Sequence, residues 1–583
     1  MVGGPDRGTA RRLVGERGEM EYSCGPRSPG SPMIVSAGVP RAPSAAGALR
    51  GQLLGALGSE RHRGWLRLAA WLGFGLWLLW GGLRYAPGPH DNDWPMLMWL
   101  VKHASWSDPS PLAIGHYGPA QLLVAWWLYP IFGSTLAAAK VLSMLGVLTC
   151  IACAYRMTRG RYGEMAASMV ALAFALSTPA FATGQSEFAD APASAAFFSG
   201  LYLWWKWEDA GRGRAARSLL AGVLLGSSGL MRTHFVVFSC VSAACAALWS
   251  VLVPGERSRR AQAAAGACFL LGALLGNLPG FILNYQVHGQ LGSAVASTFV
   301  GQVLYGYDDL DLLHSYARHP LDRILREHPL DIVHLMTTRA GEHPALWLLP
   351  LVSVALAIWK RRLWQAAIVR QVLLCSTLAF LYFWLFVSLS WVAWPRVLLP
   401  IVFLDGWLVV ALGMQLFWGR SHRARQLCCA VFGLALAVQW WGSLRDLKAQ
   451  WRDTRWWWRQ STELVQALRR EGMRDAREAF VYDWNRFVVD DPQLQPFYNF
   501  GFWNLLLPEF REERPIPTPY LNDLPDLASF LENQGVRFFV LPQNERLLSR
   551  FPALVQLIQG KEELPGFRRG PPLSADVLLV HGS

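Results

Sequence analysis

Apolar runs of roughly 17–25 residues, separated by short polar loops, recur along most of this chain, and they leave few architectures open. A run of that length makes a helix long enough to cross the hydrocarbon of a bilayer, about 30 Å. Only 16% of the 583 residues are charged while 52% are hydrophobic; soluble domains average about 25% and about 45–50%. The depletion of charge decides the class, because water would not tolerate stretches this apolar. The chain reads as an all-α polytopic membrane protein.

The formal net charge of +13 suggests a polyanionic partner until its location is considered. The basic residues sit in the N-terminal tail and in short loops between apolar runs: 156–161, 212–217, 257–260, 360–362 and 420–425. That is the positive-inside bias, a signal of orientation. No basic patch with interleaved aromatics lies elsewhere, so nucleic acid is not a partner. The nine Cys lie mostly inside apolar runs, where thiols act as small hydrophobes. Cys150 and Cys153 have CxxC spacing but no second pair or His beside them, so helix packing is the reading. The 29 Trp cluster at run ends (Trp126-Trp127, Trp204-Trp205, Trp440-Trp441), which suggests interfacial anchoring.

Residues 1–63 are rich in Gly, Pro, Ser and Arg and read as a disordered cytoplasmic tail. The run at 65–85 is too long for a signal-peptide core and lacks a small-residue cleavage site, so it is an uncleaved anchor. Spans are expected at 65–85, 136–155, 165–182, 188–205, 219–231, 235–253, 263–284, 345–359, 373–391, 397–417 and 427–442. With the N-terminus inside, this set of about eleven puts every Arg-rich loop in the cytoplasm. The apolar stretch 117–132 must then be juxtamembrane, since counting it as a span inverts everything after it. The domains expected are the tail (1–63), a membrane domain (64–442) and an extracytoplasmic C-terminal domain (443–583). In the last, strand-like runs at 479–482, 537–541 and 576–580 and a helix at 524–534 predict a small α/β fold.

Acidic residues mark where chemistry would sit. Gly88-Pro89-His90-Asp91-Asn92-Asp93-Trp94 follows the first span directly. Carboxylates beside a bilayer are costly unless used. In extended geometry i and i+2 face the same way, so Asp91 and Asp93 could serve one site: one as general base, or both holding a divalent cation. The plain alternative is a solvated turn whose Asp caps a helix over 94–102. A second acidic turn, Gly184-Gln185-Ser186-Glu187-Phe188-Ala189-Asp190, lies on the same membrane face, with helix capping as the plain explanation of Asp190. Two arginines there oppose the positive-inside trend: Arg232 in Gly229-Leu230-Met231-Arg232-Thr233-His234, and Arg396 in Trp394-Pro395-Arg396-Val397. An Arg in such a place requires an anion, either an internal carboxylate or a phosphate. The outer loop 285–343 holds Asp308, Asp309, Asp311 and several His, but at no zinc spacing.

In order and spacing this arrangement resembles the GT-C glycosyltransferases: an Asp after the first span, a Glu/Asp turn between the third and fourth, an Arg after Gly-Leu-Met, the run Leu278-Pro279-Gly280-Phe281-Ile282-Leu283-Asn284-Tyr285, and Pro395-Arg396-Val397-Leu398-Leu399-Pro400. Within that superfamily it is most similar to bacterial members resembling protein mannosyltransferases and the aminoarabinose transferase of lipid A, over roughly 65–442. The resemblance implies an enzyme that moves a hexose or pentose from a polyprenyl-phosphate carrier to a lipid, glycan or protein acceptor outside the cytoplasm. The first-loop Asp of the family would be Asp91 or Asp93, its second acidic position Asp190, and its late Arg Arg396. The family's commoner pattern has Glu shortly after the first Asp; here Asn92-Asp93-Trp94 intervenes.

The chemistry agrees with that implication. A carrier phosphate is a good leaving group, so one base on the acceptor hydroxyl suffices, with charge on the departing phosphate met by Arg or a metal. The expectation is Asp91 or Asp93 as base, Glu187 and Asp190 assisting donor, acceptor or metal, and Arg232 and Arg396 on the phosphate. No cofactor is required beyond a divalent cation as an option. The location expected is the bacterial inner membrane. A transporter or flippase of a lipid-linked envelope precursor is the rival; it predicts ionisable residues at mid-membrane depth.

Overall fold

The computed structural model describes residues 60–85, 118–207, 213–253, 258–288, 326, 329–360, 363–389, 395–417, 422–474, 478–481, 497–498, 522–543, 548 and 551–582. The chain divides into two units, 1–67 and 68–583; of the first, only the opening turns of α1 (Glu60–Arg84) are described.

In the second unit the apolar runs read as spans are helical over nearly all of their described residues. The stretch 117–132 forms two pieces, α2 (Pro119–Trp127) and α3 (Tyr129–Phe132), 9 and 4 residues long. Neither can cross about 30 Å of hydrocarbon, as the parity of the basic loops requires. Ser134 caps α4 (Thr135–Ala175) by accepting from the Ala137 amide at 3.0 Å. This element is two helices joined at a kink at Gly163, whose φ of 79° only glycine adopts readily. Glu164 secures the kink, pairing with Arg159 at 2.9 Å and accepting from the Tyr155 hydroxyl. There follow α5 (Thr178–Gly184), α6 (Asp190–Trp207), α7 (Arg214–Gly226), α8 (Ser228–Met231), α9 (His234–Leu252) and α10 (Arg259–His288). The rest of the helical unit is α11 (Pro329–Glu342), α12 (Pro344–Trp359), α13 (Ala366–Tyr382), α14 (Pro395–Phe417) and α15 (His422–Arg470). Five described helices are long and apolar enough to cross a membrane, or up to six if the α11–α12 pair, bent by 85°, counts as one.

The helices pack through aromatic and small residues. Phe197 stacks on Phe238 at 4.7 Å, joining α6 to α9. Trp204 stacks on Phe269 at 4.5 Å and Trp205 lies 5.4 Å from Trp407. Both tryptophans are buried, which corrects the interfacial reading of that pair: they face α10 and α14. Between α7 and α10 the backbones touch. A methyl group at Gly222 or Gly226 would strike the carbonyls of Phe269 or Ala273, and one at Gly272 or Gly276 those of Leu219 or Val223. These glycines recur every four residues on each helix, the small-xxx-small pattern of close membrane crossings. Leu76, Ile282, Val352, Val409 and Leu434 are exposed on the outside of the bundle. Soluble surfaces seldom carry so much apolar area; this is the surface of an integral membrane protein.

Helix α15 runs unbroken from the bundle into a small α/β domain. The five-stranded sheet has the order β2-β1-β3-β5-β4, with β1 (Ala479–Val481), β2 (Phe497–Tyr498), β3 (Phe538–Pro542), β4 (Phe567–Arg569) and β5 (Asp576–His581). β1 pairs parallel with β2 and β3, and β5 antiparallel with β3 and β4. One face packs on Leu464, Ala467 and Leu468 of α15. The other packs on α16 (Leu524–Asn533) and α17 (Pro552–Gln559).

Candidate active site

The site is assembled from helix ends, where chain direction reverses and backbone groups are released from the helical ladder. The turn 185–189 joins α5 to α6, and all its residues are buried. Two side chains anchor it: Ser143 Oγ of α4 donates to the Phe188 carbonyl at 2.7 Å, and Gln121 Nε2 of α2 to the Glu187 carbonyl at 3.4 Å. Asp190 then opens α6, where the helix dipole favours a carboxylate.

Arg232 reaches this carboxylate from the end of α8, which packs directly beside α6. It caps α8 in extended geometry (φ −145°, ψ 122°), and the Gly118 amide donates to the adjacent Met231 carbonyl at 2.8 Å. Its Nε lies 3.5 Å from Asp190 Oδ1, with the two side chains 3% and 1% exposed. Of the two anions an Arg here could require, an internal carboxylate is therefore present. Arg396, at the start of α14, stacks its guanidinium over the Phe188 ring at 4.2 Å. The turn thus collects Glu187, Asp190, Arg232 and Arg396 at one end of the bundle. Asp91 and Asp93 lie outside the described residues.

Several neighbours carry no distinctive sequence signal. Tyr382 is buried at the end of α13, its hydroxyl 3.3 Å from His234 Nε2, within electrostatic reach of both Asp190 and Arg232. A π-helical turn, Phe383–Val387, follows at once; such turns are frequent at functional sites. Lys140 is fully buried and donates to the Gly82 carbonyl at 3.0 Å, holding the last turn of α1. Among the described residues no group of three His, Cys, Asp or Glu side chains could hold a metal ion.

Trp451 of α15 clamps the site. Its ring stacks on Tyr85 at 4.6 Å and 19°, while Nε1 donates to Gln185 Oε1 at 2.6 Å. One side chain therefore ties the exit of α1 to the start of the acidic turn. Trp451→Ala is expected to destabilise the protein by about 2–4 kcal/mol through lost ring packing. Trp451→Phe keeps the stack and loses about 1 kcal/mol with the hydrogen bond. Thermal melts of the solubilised protein read the difference, and equal melting for the two variants would show that stacking does not hold the clamp.

Residues 116–275, from just before α2 to within α10, match the family model described as dolichyl-phosphate-mannose-protein mannosyltransferase. No curated protein matches the chain by sequence. Among solved structures, ArnT from Cupriavidus metallidurans bound to undecaprenyl phosphate is similar at TM-score 0.51 and 11% identity, over 88% of this chain and 98% of that one. Its apo state gives TM-score 0.52 and 13% identity over 89% and 98%. An Archaeoglobus fulgidus oligosaccharyltransferase gives TM-score 0.48 and 12% identity over 87% and 75%. The mannosyltransferase pattern thus runs across α2–α10, and the fold over nearly the whole chain is similar to that of ArnT.

Proposed function

We propose that the chain transfers a sugar from a polyprenyl-phosphate donor to an acceptor outside the cytoplasm, at the end of the bundle that holds Asp190 and Arg232. The observation that carries this reading is their ion pair, sealed from water where helix termini converge. A pair so placed is expensive to desolvate and needs a use. In the sequence the basic runs follow or precede the other ends of these helices, which supports a reading with this end outward and the N-terminus inward. ArnT, whose fold this chain shares, was crystallised with undecaprenyl phosphate. A carrier of that kind keeps its tail in hydrocarbon and brings its phosphate to just such a rim.

In this reading Asp91 or Asp93 accepts the proton of the acceptor hydroxyl as its oxygen attacks the anomeric carbon. The C–O bond to the carrier breaks, and the phosphate leaves with the electron pair. Arg396 and Arg232 meet the charge that develops on it, with Asp190 orienting Arg232 and Glu187 lining the approach. Purified protein in nanodiscs, given radiolabelled polyprenyl-phosphate sugar with and without acceptor lipids, glycans or peptides, tests this. Replacing both Asp91 and Asp93 by Ala is expected to slow transfer by about 10²–10⁴-fold; retained transfer at normal protein levels ends the base assignment. Loss of transfer on chelation, restored by divalent cation, would instead assign the carboxylates to a metal.

Asp405 favours the rival reading. It is buried in α14, ten residues after Pro395, hence about 15 Å along the helix from its outer end. Acids at that depth mark transport paths. The assay separates the two: a transporter moves intact lipid-linked sugar and releases no free carrier.

A further inference from the structure

Gln121 stands where two parts of the site meet. Its helix, α2, begins against the end of α8: the Gly118 amide donates to the Met231 carbonyl at 2.8 Å, and a methyl group at Gly118 would meet the Leu230 carbonyl oxygen at 2.1 Å. Backbone contact that close pins the first turn of α2 beside the residue that precedes Arg232. Gln121 follows three residues on, about 4.5 Å further along the helix, and its Nε2 donates to the Glu187 carbonyl. The side chain is fully buried. One amide is thus held between the Arg232 segment and the acidic turn.

That amide is only half used. Among the described residues no donor reaches its buried Oε1. Turning the amide over does not help, because Oε1 would then face the Glu187 carbonyl oxygen. A buried acceptor left unmet is costly, and buried polar groups nearly always find partners. The buried hydroxyls of Thr158, Thr183, Ser228 and Ser250 follow the rule, each donating to a carbonyl three or four residues back. Oε1 accepts only from a group that carries a hydrogen, which excludes the ionised oxygens of a phosphate. A sugar joined to that phosphate does carry such groups. A phosphate met by Arg232 brings the ring next to it within reach of an amide less than one helical turn from the Met231 contact.

We infer that Gln121 recognises the sugar of the donor, its Oε1 accepting from a ring hydroxyl. The inference rests on the transfer reading above and deepens it: the arginines meet the phosphate, which every loaded carrier shares, and Gln121 reads the group that distinguishes one carrier from another. A neutral amide suits that task, since it adds directional selectivity without repelling the phosphate beside it.

Binding is measured on the full-length protein in phosphatidylcholine nanodiscs, by competition against a radiolabelled short-chain polyprenyl phosphate. The competitors are that carrier bearing a mannosyl, glucosyl or arabinosyl group, and its methyl diester, which has the same phosphate charge and no hydroxyl. At least one sugar carrier should bind about 10–100-fold more tightly than the methyl diester. Q121L and Q121M should abolish that preference by weakening the sugar carrier alone and leaving the methyl diester unchanged. Equal binding of all competitors by the unaltered protein overturns the inference. So does a preference that survives in both variants, because water then meets Oε1. Equal weakening of every competitor overturns it too, since the amide then serves only to anchor the turn at Glu187. Transfer is followed separately on the same preparations: a protein that shows the Gln121-dependent preference but never passes the sugar on keeps this assignment and loses the transfer reading.

Discussion

Arg232→Met alone is expected to destabilise the folded protein by about 3–5 kcal/mol, and Asp190→Leu alone by a similar amount. Each single change leaves one charge buried without the partner 3.5 Å away. The double variant, Asp190→Leu with Arg232→Met, replaces the pair by apolar groups of similar bulk. It should recover most of that loss, as buried ion pairs exchanged for hydrophobic ones commonly do. Transfer should not recover with it. A double variant that melts like the unaltered protein yet is inactive assigns the pair to the reaction; one that regains both stability and transfer reduces the pair to a structural strut. Melting temperature and turnover are measured on the same preparations, so the two readings stay distinct.

The sequence was most legible where physics is most uniform. Apolar length placed the helices, and the charge of the loops excluded 117–132 as a span, which α2 and α3 bear out by their length. Alternation located three strands of the C-terminal sheet within a residue or two: 479–481, 538–542 and 576–581. β2 and β4, of 2 and 3 residues, are too short to carry a pattern and were not foreseen. At the site, Asp190 and Arg232 stood out because a charge beside the bilayer is rare, and that rarity is itself the signal. Tyr382 gave none: among Phe380, Phe383 and Phe386 an aromatic reads as packing, and its hydroxyl matters only once His234 is beside it. Lys140 carries no signal for the converse reason. One cation in the long run of α4 is tolerated by composition, and what it serves, the carbonyl of Gly82, is 58 residues away. Asp405 was hidden in the same way within α14.

The α7–α10 crossing explains how Arg232 is aimed, and it supplies the second large effect. Ser227 alone separates α7 from α8, so the height and rotation of α7 set where Arg232 emerges. That height is fixed by backbone contact at Gly222, Gly226, Gly272 and Gly276, and Gly229 of α8 continues it against Asn277 of α10. Asn277 is in turn held to Ser239 Oγ of α9 at 2.9 Å. A side chain at Gly272 meets the Leu219 carbonyl, which is backbone and cannot rotate aside. Gly272→Leu is therefore expected to cost about 1–3 kcal/mol or more, and to part the helices far enough to disturb the Asp190–Arg232 contact. Gly413 and Gly433 also lie within helices, but a methyl group there meets nothing within 4 Å. Their change to Ala should leave melting unchanged or slightly raise it, since Ala is the better helix former. If Gly272→Leu melts and turns over as Gly433→Ala does, the close crossing is not what positions Arg232, and the aim of its guanidinium must come from the Gly118–Met231 contact instead.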